Sequence, residues 1–177
     1  MIRRWQRYWL CAAAIGLASP VPGVAQDTDP PRPMVRRVTN LMADDARHRA
    51  IAERGGDPDT VLPGDVLRYR LYFRNLFPAA LPLMELRERV PAGYVYVAGF
   101  ARSNPEGMII TYSIDGGATY DAQPMIAVAH DTAQTLGPAP PRLYNVIRFR
   151  APGAVPRGAR ITVEFRIRAV GGSTGSE

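Results

Sequence analysis

Seven arginines recur at every second or fourth position of three short segments: Arg68, Arg70 and Arg74; Arg148 and Arg150; Arg166 and Arg168. Alternate residues of a β-strand point to opposite faces, so in each segment the arginines oppose the apolar residues between them. If the three strands share one sheet, these side chains form a basic patch for an anionic polysaccharide, lipid headgroups or nucleic acid. Guanidinium suits that chemistry because its fork meets carboxylate or phosphate in a bidentate way that ammonium cannot. All 22 basic residues of the chain are arginine, spread evenly along it, which also fits a codon bias towards G and C. A charged solvent face on a two-layer β protein is the plain alternative to an anion site.

Catalytic chemistry finds few candidates. His48 and His130 are the only imidazoles, and the single cysteine is Cys11, close to the amino terminus. His130 and Asp131 with Ser103 or Ser113 are the nearest approach to a nucleophile triad, but neighbours on one strand point apart. No HExxH, phosphate-loop or dinucleotide fingerprint is present. Two histidines without a cysteine beyond Cys11 argue against zinc. Asp57, Asp59 and Asp65, and the pair Asp115 and Asp121, offer turn oxygens to calcium, yet neither spacing is that of an EF-hand and turn formation accounts for them. Glu85 and Glu88 fall on opposite strand faces and cannot pair as glycosidase carboxylates. The sequence therefore predicts no catalytic residue, cofactor or metal, and points to a non-enzymatic binding or structural module. A small envelope hydrolase with carboxylates that spacing does not identify is the alternative.

The elements that must position the arginines are strands. Val66 to Leu76 is the clearest: Leu67, Tyr69, Leu71 and Phe73 alternate with Arg68, Arg70, Tyr72 and Arg74 after a Pro63-Gly64-Asp65 turn. In Arg160 to Val170, Ile161, Val163, Phe165 and Ile167 alternate in the same way. Further strands are predicted over Met34 to Leu41, Leu83 to Val90, Tyr94 to Phe100, Met108 to Ile114, Gln123 to Ala129 and Leu143 to Arg150. Asp115-Gly116-Gly117 supplies the positive φ angles of a tight hairpin. Seventeen prolines and sixteen glycines separate these runs. Seven or eight short strands with frequent turns predict an all-β, two-layer antiparallel sandwich. One segment, Asn40 to Arg54, carries helix signals, with Asn40 as N-cap, Asp44 and Asp45 early and Gly55-Gly56 as a stop, and reads equally as helix or loop.

The termini set the compartment. Arg3, Arg4 and Arg7, then the apolar run Leu10 to Ala18, then Gly23-Val24-Ala25 follow the three-part plan of a secretory signal peptide over residues 1–25. The apolar run is well short of the roughly 20 residues of a membrane-spanning helix, so no transmembrane anchor is expected in the mature chain. Cleavage before Gln26 removes Cys11 and leaves a cysteine-free protein that folds outside the cytoplasm without a disulfide. It also removes three arginines and no acid, lowering the formal charge from +6 to +3. Roughly 150 residues then remain, enough for one domain over 34–170, between a proline-rich lead-in at 26–33 and a small polar tail at 171–177. Export, to the periplasm or beyond the cell, makes nucleic acid a poor partner and favours an envelope protein or an anionic envelope polymer.

Four stretches, taken in order, resemble the DUF11 domain, a repeat module of exported bacterial and archaeal proteins. They are VLPGDVLRYRLYFRN, LRERVPAGYVYVAGFA, ITYSIDGGATYD and VIRFRAPGAVPRGARITVEFRIRA, together spanning roughly Val61 to Val170. Pro63, Gly64, Asp65, Tyr69, Asn75, Pro91, Ala92, Gly93, Tyr94, Asp115, Gly116 and Gly117 carry the match, with Val90 in place of a leucine and Gly99 later than the pattern has it. The resemblance implies an immunoglobulin-like sandwich in an envelope or secreted protein, and no inherited activity. A single copy without LPxTG or a C-terminal membrane helix implies a free module rather than a stalk.

Overall fold

The computed structural model describes residues 33–57, 59–130 and 133–171; the signal peptide and almost all of the lead-in and tail expected from the sequence lie outside them. The described residues form ten strands, one helix and a 3-10 turn at Pro141–Leu143. The strands are β1 (Met34–Asn40), β2 (Val66–Arg74), β3 (Glu85–Arg89), β4 (Tyr94–Tyr96), β5 (Arg102–Asn104), β6 (Ile109–Ser113), β7 (Met125–His130), β8 (Ala133–Pro138), β9 (Val146–Arg150) and β10 (Arg160–Ala169), and α1 spans Ala46–Glu53. Among the described residues no helix is long and apolar enough to cross a membrane.

All pairing is antiparallel. One sheet runs β1-β2-β10-β4 with β5 also on β10, a second runs β3-β9-β6, and β7-β8 form a separate hairpin. β4 and β5 share one side of β10, facing Ile167–Ala169 and Thr162–Glu164 respectively. The segment Tyr94 to Phe100, read from sequence as one strand, stops at Tyr96 because Gly99 takes φ 78°, a left-handed turn; pairing resumes at Arg102. β5 and β8 have no counterpart in the sequence reading, one being three residues long and the other containing Gly137 and Pro138.

The inner faces of the five-stranded and three-stranded sheets share a core. Leu71, Val163, Phe165 and Ile167 from one meet Leu86, Ile147 and Phe149 from the other, and the rings of Phe149 and Phe165 lie 6.4 Å apart. The alternation of β2 and β10 is obeyed: Leu67, Leu71, Ile161, Val163, Phe165 and Ile167 are buried. Phe73 is only half-buried, since its neighbour across the strand is Met34 on the exposed edge strand β1. At about 25 cal/mol per Å² of apolar surface removed from water, this seam is the main driving force for the two layers to meet. Tyr96, Tyr112 and Tyr144 close one end as a cluster of rings, with Tyr96 Oη and Tyr112 Oη 3.0 Å apart.

The Asn40 to Arg54 segment does contain a helix, but Asn40 is not its cap. Asp45 is, accepting from the backbone N–H groups of Arg47 and His48. Asn40 instead ends β1, where its Oδ1 accepts from Met42 N and its Nδ2 donates to Asp65 at 2.7 Å.

Candidate anion-binding face

The outer face of the five-stranded sheet is built by even-numbered positions of β2 and β10, with their partners on β1, β4 and β5. Register sets them in rows. Arg74 lies opposite Arg160, Tyr72 opposite Thr162, Arg70 opposite Glu164 and Arg68 opposite Arg166. Arg37 extends the Arg70 row on β1, and Arg102 extends it on β5. With Arg168 at the end, the outward positions hold eight arginines (37, 68, 70, 74, 102, 160, 166 and 168) and one acid, Glu164.

Glu164 is buried beneath two of these arginines. Its Oε2 accepts from Arg70 Nε at 2.6 Å and its Oε1 from Arg102 Nη2 at 3.0 Å. Burial pushes this carboxyl up, but the two guanidiniums outweigh burial and hold it below the usual carboxylate range. Glu164 is therefore ionised and fixes both arginines at a defined spacing.

Arg68 and Arg166 have no such partner. They face one another on adjacent strands, and neither forms an ion pair with any described residue. The Nε of each is buried without a hydrogen-bond acceptor. Like charges directly opposite on neighbouring strands are destabilising, and so is a buried N–H left unpaired. Arg166 is held in place by stacking over the Phe100 ring, 4.0 Å from its centre. The two therefore place positive charge on directly opposite residues that no described acid offsets.

Arg148 and Arg150 do not belong to this face. They stand on β9, in the three-stranded sheet, so the condition for a single seven-arginine patch, that the three strands share one sheet, is not met. Arg148 is also spent locally: its Nε donates to Thr111 Oγ1 at 3.0 Å, it approaches Glu85, and its guanidinium lies 4.1 Å from the centre of the Tyr120 ring. Sequence spacing gave the strand facing of each arginine but could not say which strands are neighbours. It did not single out Arg37, Arg102 or Arg160, and it put Glu164 on the outward face of its strand without giving it a role. Arg37 and Arg160 follow the same alternation within predicted strands and were legible in principle; Arg102 sits in a strand too short to show a pattern. Aromatic residues accompany the face too, since Arg37 lies 5.7 Å from the Tyr72 ring centre and Phe100 underlies Arg166.

No protein-family model matches the chain, and no curated protein is similar to it. The resemblance to DUF11 modules is thus carried by the sequence motifs alone, and the site must be read from its own geometry.

A second cluster lies where β1, α1 and the turn before β2 meet. His48 and Asp65 are buried, and with Asp45 they offer ligand atoms within 4.8 Å of one another. These atoms are already engaged. His48 Nδ1 is 2.9 Å from Asp45 Oδ1 and Nε2 is 2.9 Å from Asp65 Oδ2, while Arg47 Nη2 donates to Asp65 Oδ1 at 2.6 Å. Asn40 and the Leu62 N–H complete the shell of Asp65. A ring flanked by two carboxylates satisfies both as imidazolium, so the group is a closed set of opposite charges rather than donors converging on an open point. Hydrogen bonding to Asp45, reinforced by Asp65, holds the His48 pKa above its ordinary value against the opposing effect of burial.

The remaining candidates are occupied in turns or lie apart. Asp115 accepts from Ser113 Oγ and from Thr119 N and Oγ1, and Asp121 accepts from Gln123 N. Asp57 accepts from Asp59 N. Ser113 is buried in β6 and Ser103 lies on β5 of the other sheet, so they share no site. Asp131 and the side chain of His130 lie outside the described residues. Glu85 and Glu88 do face opposite ways; Glu88 points between the sheets, 3.5 Å from Arg36, with burial raising its pKa.

Proposed function

We propose that this chain is an exported, non-enzymatic module of the cell envelope that binds an anionic polymer on the outer face of its five-stranded sheet. The observation that carries the reading is the Arg68–Arg166 pair: two arginines directly opposite on adjacent strands, neither with an acidic partner among the described residues. The eight-to-one excess of arginine over acid at the outward positions extends that field across the sheet. An immunoglobulin-like sandwich of the DUF11 type is the architecture we assign to it, supported by two antiparallel sheets around one core and by the Pro63-Gly64-Asp65 and Asp115-Gly116-Gly117 turns. Export rests on the leader-like order of residues 1–25 and favours an envelope polymer over nucleic acid. The hydrolase alternative loses support because Glu164, the acid of this face, is held ionised between two arginines and has no second carboxylate beside it.

The test compares two double variants for binding to polygalacturonate at low ionic strength. Arg68→Gln with Arg166→Gln should weaken binding by about tenfold or more, because charge-assisted contacts are lost from both strands. Arg148→Gln with Arg150→Gln, on the other sheet, should leave it nearly unchanged. Equal effects from the two pairs would show that binding follows net charge and not this face.

A further inference from the structure

We infer that the Arg70–Arg102 end of this face is a subsite for a single uronate unit, a sugar ring bearing one carboxylate; the inference rests on the polymer-binding reading above. A cavity of about 430 Å³ opens there between β2, β10 and β5. That volume falls within the range of small-ligand sites, roughly 300–1,000 Å³. Its charged members are Arg70, Arg102 and Glu164. Each arginine spends one nitrogen on Glu164, which leaves further N–H groups on both guanidiniums for another acceptor. Two cations against one buried anion leave one positive charge in excess, which matches a carboxylate monoanion better than a phosphate monoester dianion.

The neutral part of the lining fits the rest of a sugar. Thr162 and Asn104 contribute a hydroxyl and an amide able to meet ring hydroxyls, and the half-buried Tyr72 presents an aromatic body beside them. Register fixes this composition: Tyr72, Thr162 and Asn104 occupy one row across three strands, and Arg70, Glu164 and Arg102 occupy the next. The subsite thus has a polar-aromatic row for the ring and a charged row for its carboxylate. Arg68 and Arg166 stand in the following row, where a neighbouring unit of a polymer would find its own pair of cations.

Calorimetric titration of the purified protein with trigalacturonic acid tests this, with its methyl ester and inorganic phosphate as comparison probes. The acid should bind, and the uncharged ester should bind at least about tenfold more weakly, since a charge-assisted hydrogen bond is lost. Arg102→Gln, at an exposed position where Arg70 still pairs with Glu164, should weaken trigalacturonate by about tenfold, and Tyr72→Leu should weaken it without altering the preference for acid over ester. Thermal melts of both variants should match the parent closely enough to show folding; Asn104→Ala serves as a third variant at the opposite edge. The inference is overturned if acid and ester bind alike, if phosphate competes as well as trigalacturonate, or if Arg102→Gln and Asn104→Ala both bind as the parent does. Polygalacturonate binding that still depends on Arg68 and Arg166 while trigalacturonate fails to bind would sink the subsite and leave the polymer reading standing. Loss of both would sink both.

Discussion

His48 Nε2 lies 2.9 Å from Asp65 Oδ2, with both side chains withdrawn from solvent. The contact joins α1 to the Pro63-Gly64-Asp65 turn, and Asn40 and Arg47 bind the same carboxylate from β1 and from α1. A turn sequence that looks like ordinary loop punctuation is therefore the point at which the β1-to-β2 crossover is fastened to the sheet.

Stability should depend on pH through this contact. Burial pushes the Asp65 pKa up, but the Leu62 N–H, Asn40, His48 and Arg47 prevail and hold it low, while Asp45 and Asp65 hold His48 high. A histidine raised above its unfolded value of about 6.5 contributes fully below that pH and loses its contribution as pH rises through the folded value. Lowered carboxylates act in the other direction, contributing above the unfolded carboxylate range and failing as pH falls through their folded values. Urea midpoints measured across pH should therefore fall on both the acid and the alkaline side. His48→Gln should lower the midpoint and remove the alkaline decline above about pH 6.5; an unchanged alkaline limb in that variant would place the titration elsewhere.

Asn75 should be among the costliest polar residues to replace. It is fully buried, its Nδ2 donates to the carbonyls of Ala79 and Val155, and its Oδ1 accepts from Phe77 N. Asn75→Ala removes the bonds to the Ala79 carbonyl and the Phe77 N–H, and leaves Val155 O with only its bond from Leu81 N, at about 1–3 kcal/mol for each group left unpaired where water cannot reach. Denaturant titration should show a loss of about 2 kcal/mol or more; a loss of a few tenths would mean that solvent enters the site freely.

The two faces of β2 should respond differently to truncation. Leu71 is buried in the core and Leu71→Ala should cost about 2–5 kcal/mol. The half-buried Phe73 should cost less than a full core aromatic, because Met34 beside it is exposed. Arg68→Gln removes an unpaired cation from a like-charged neighbour and should be neutral or slightly stabilising, within about 0.5 kcal/mol. Comparable losses at Leu71 and Arg68 would contradict the facing of the strand.

Export predicts a processed chain. Intact-mass measurement on periplasmic or secreted material should find residues 1–25 removed and Gln26 at the amino terminus. Mature protein that retains Cys11 would contradict it.

Facing was legible in the sequence, and neighbourhood was not. The alternation of Leu67, Tyr69 and Leu71 with Arg68, Arg70 and Tyr72 gives a two-sided strand from side-chain geometry alone. Whether Arg68 then meets Arg148 or Arg166 depends on which strands pair, a long-range choice made by the core and the connections. The same limit hid the Glu164 clamp, whose two arginines are 94 and 62 residues away in the chain. His48 was visible only as one of two imidazoles, because its partners come from a helix cap and a turn that each looked purely local. Short strands such as β5 carry too few residues to display a period, so Arg102 joins the face only through the pairing of β5 with β10.

The most direct test of the central claim is the salt dependence of polygalacturonate binding by the parent and by the Arg68→Gln, Arg166→Gln double variant. Binding that releases counterions weakens linearly on a double-logarithmic plot of affinity against salt, and each cation removed from the contact lowers the slope by about one. The face described here predicts a steep parent slope and a variant slope shallower by about two, with the fold intact. Identical slopes in the two proteins would show that the facing pair of arginines touches no polyanion, and that the outer face is only a solvated surface.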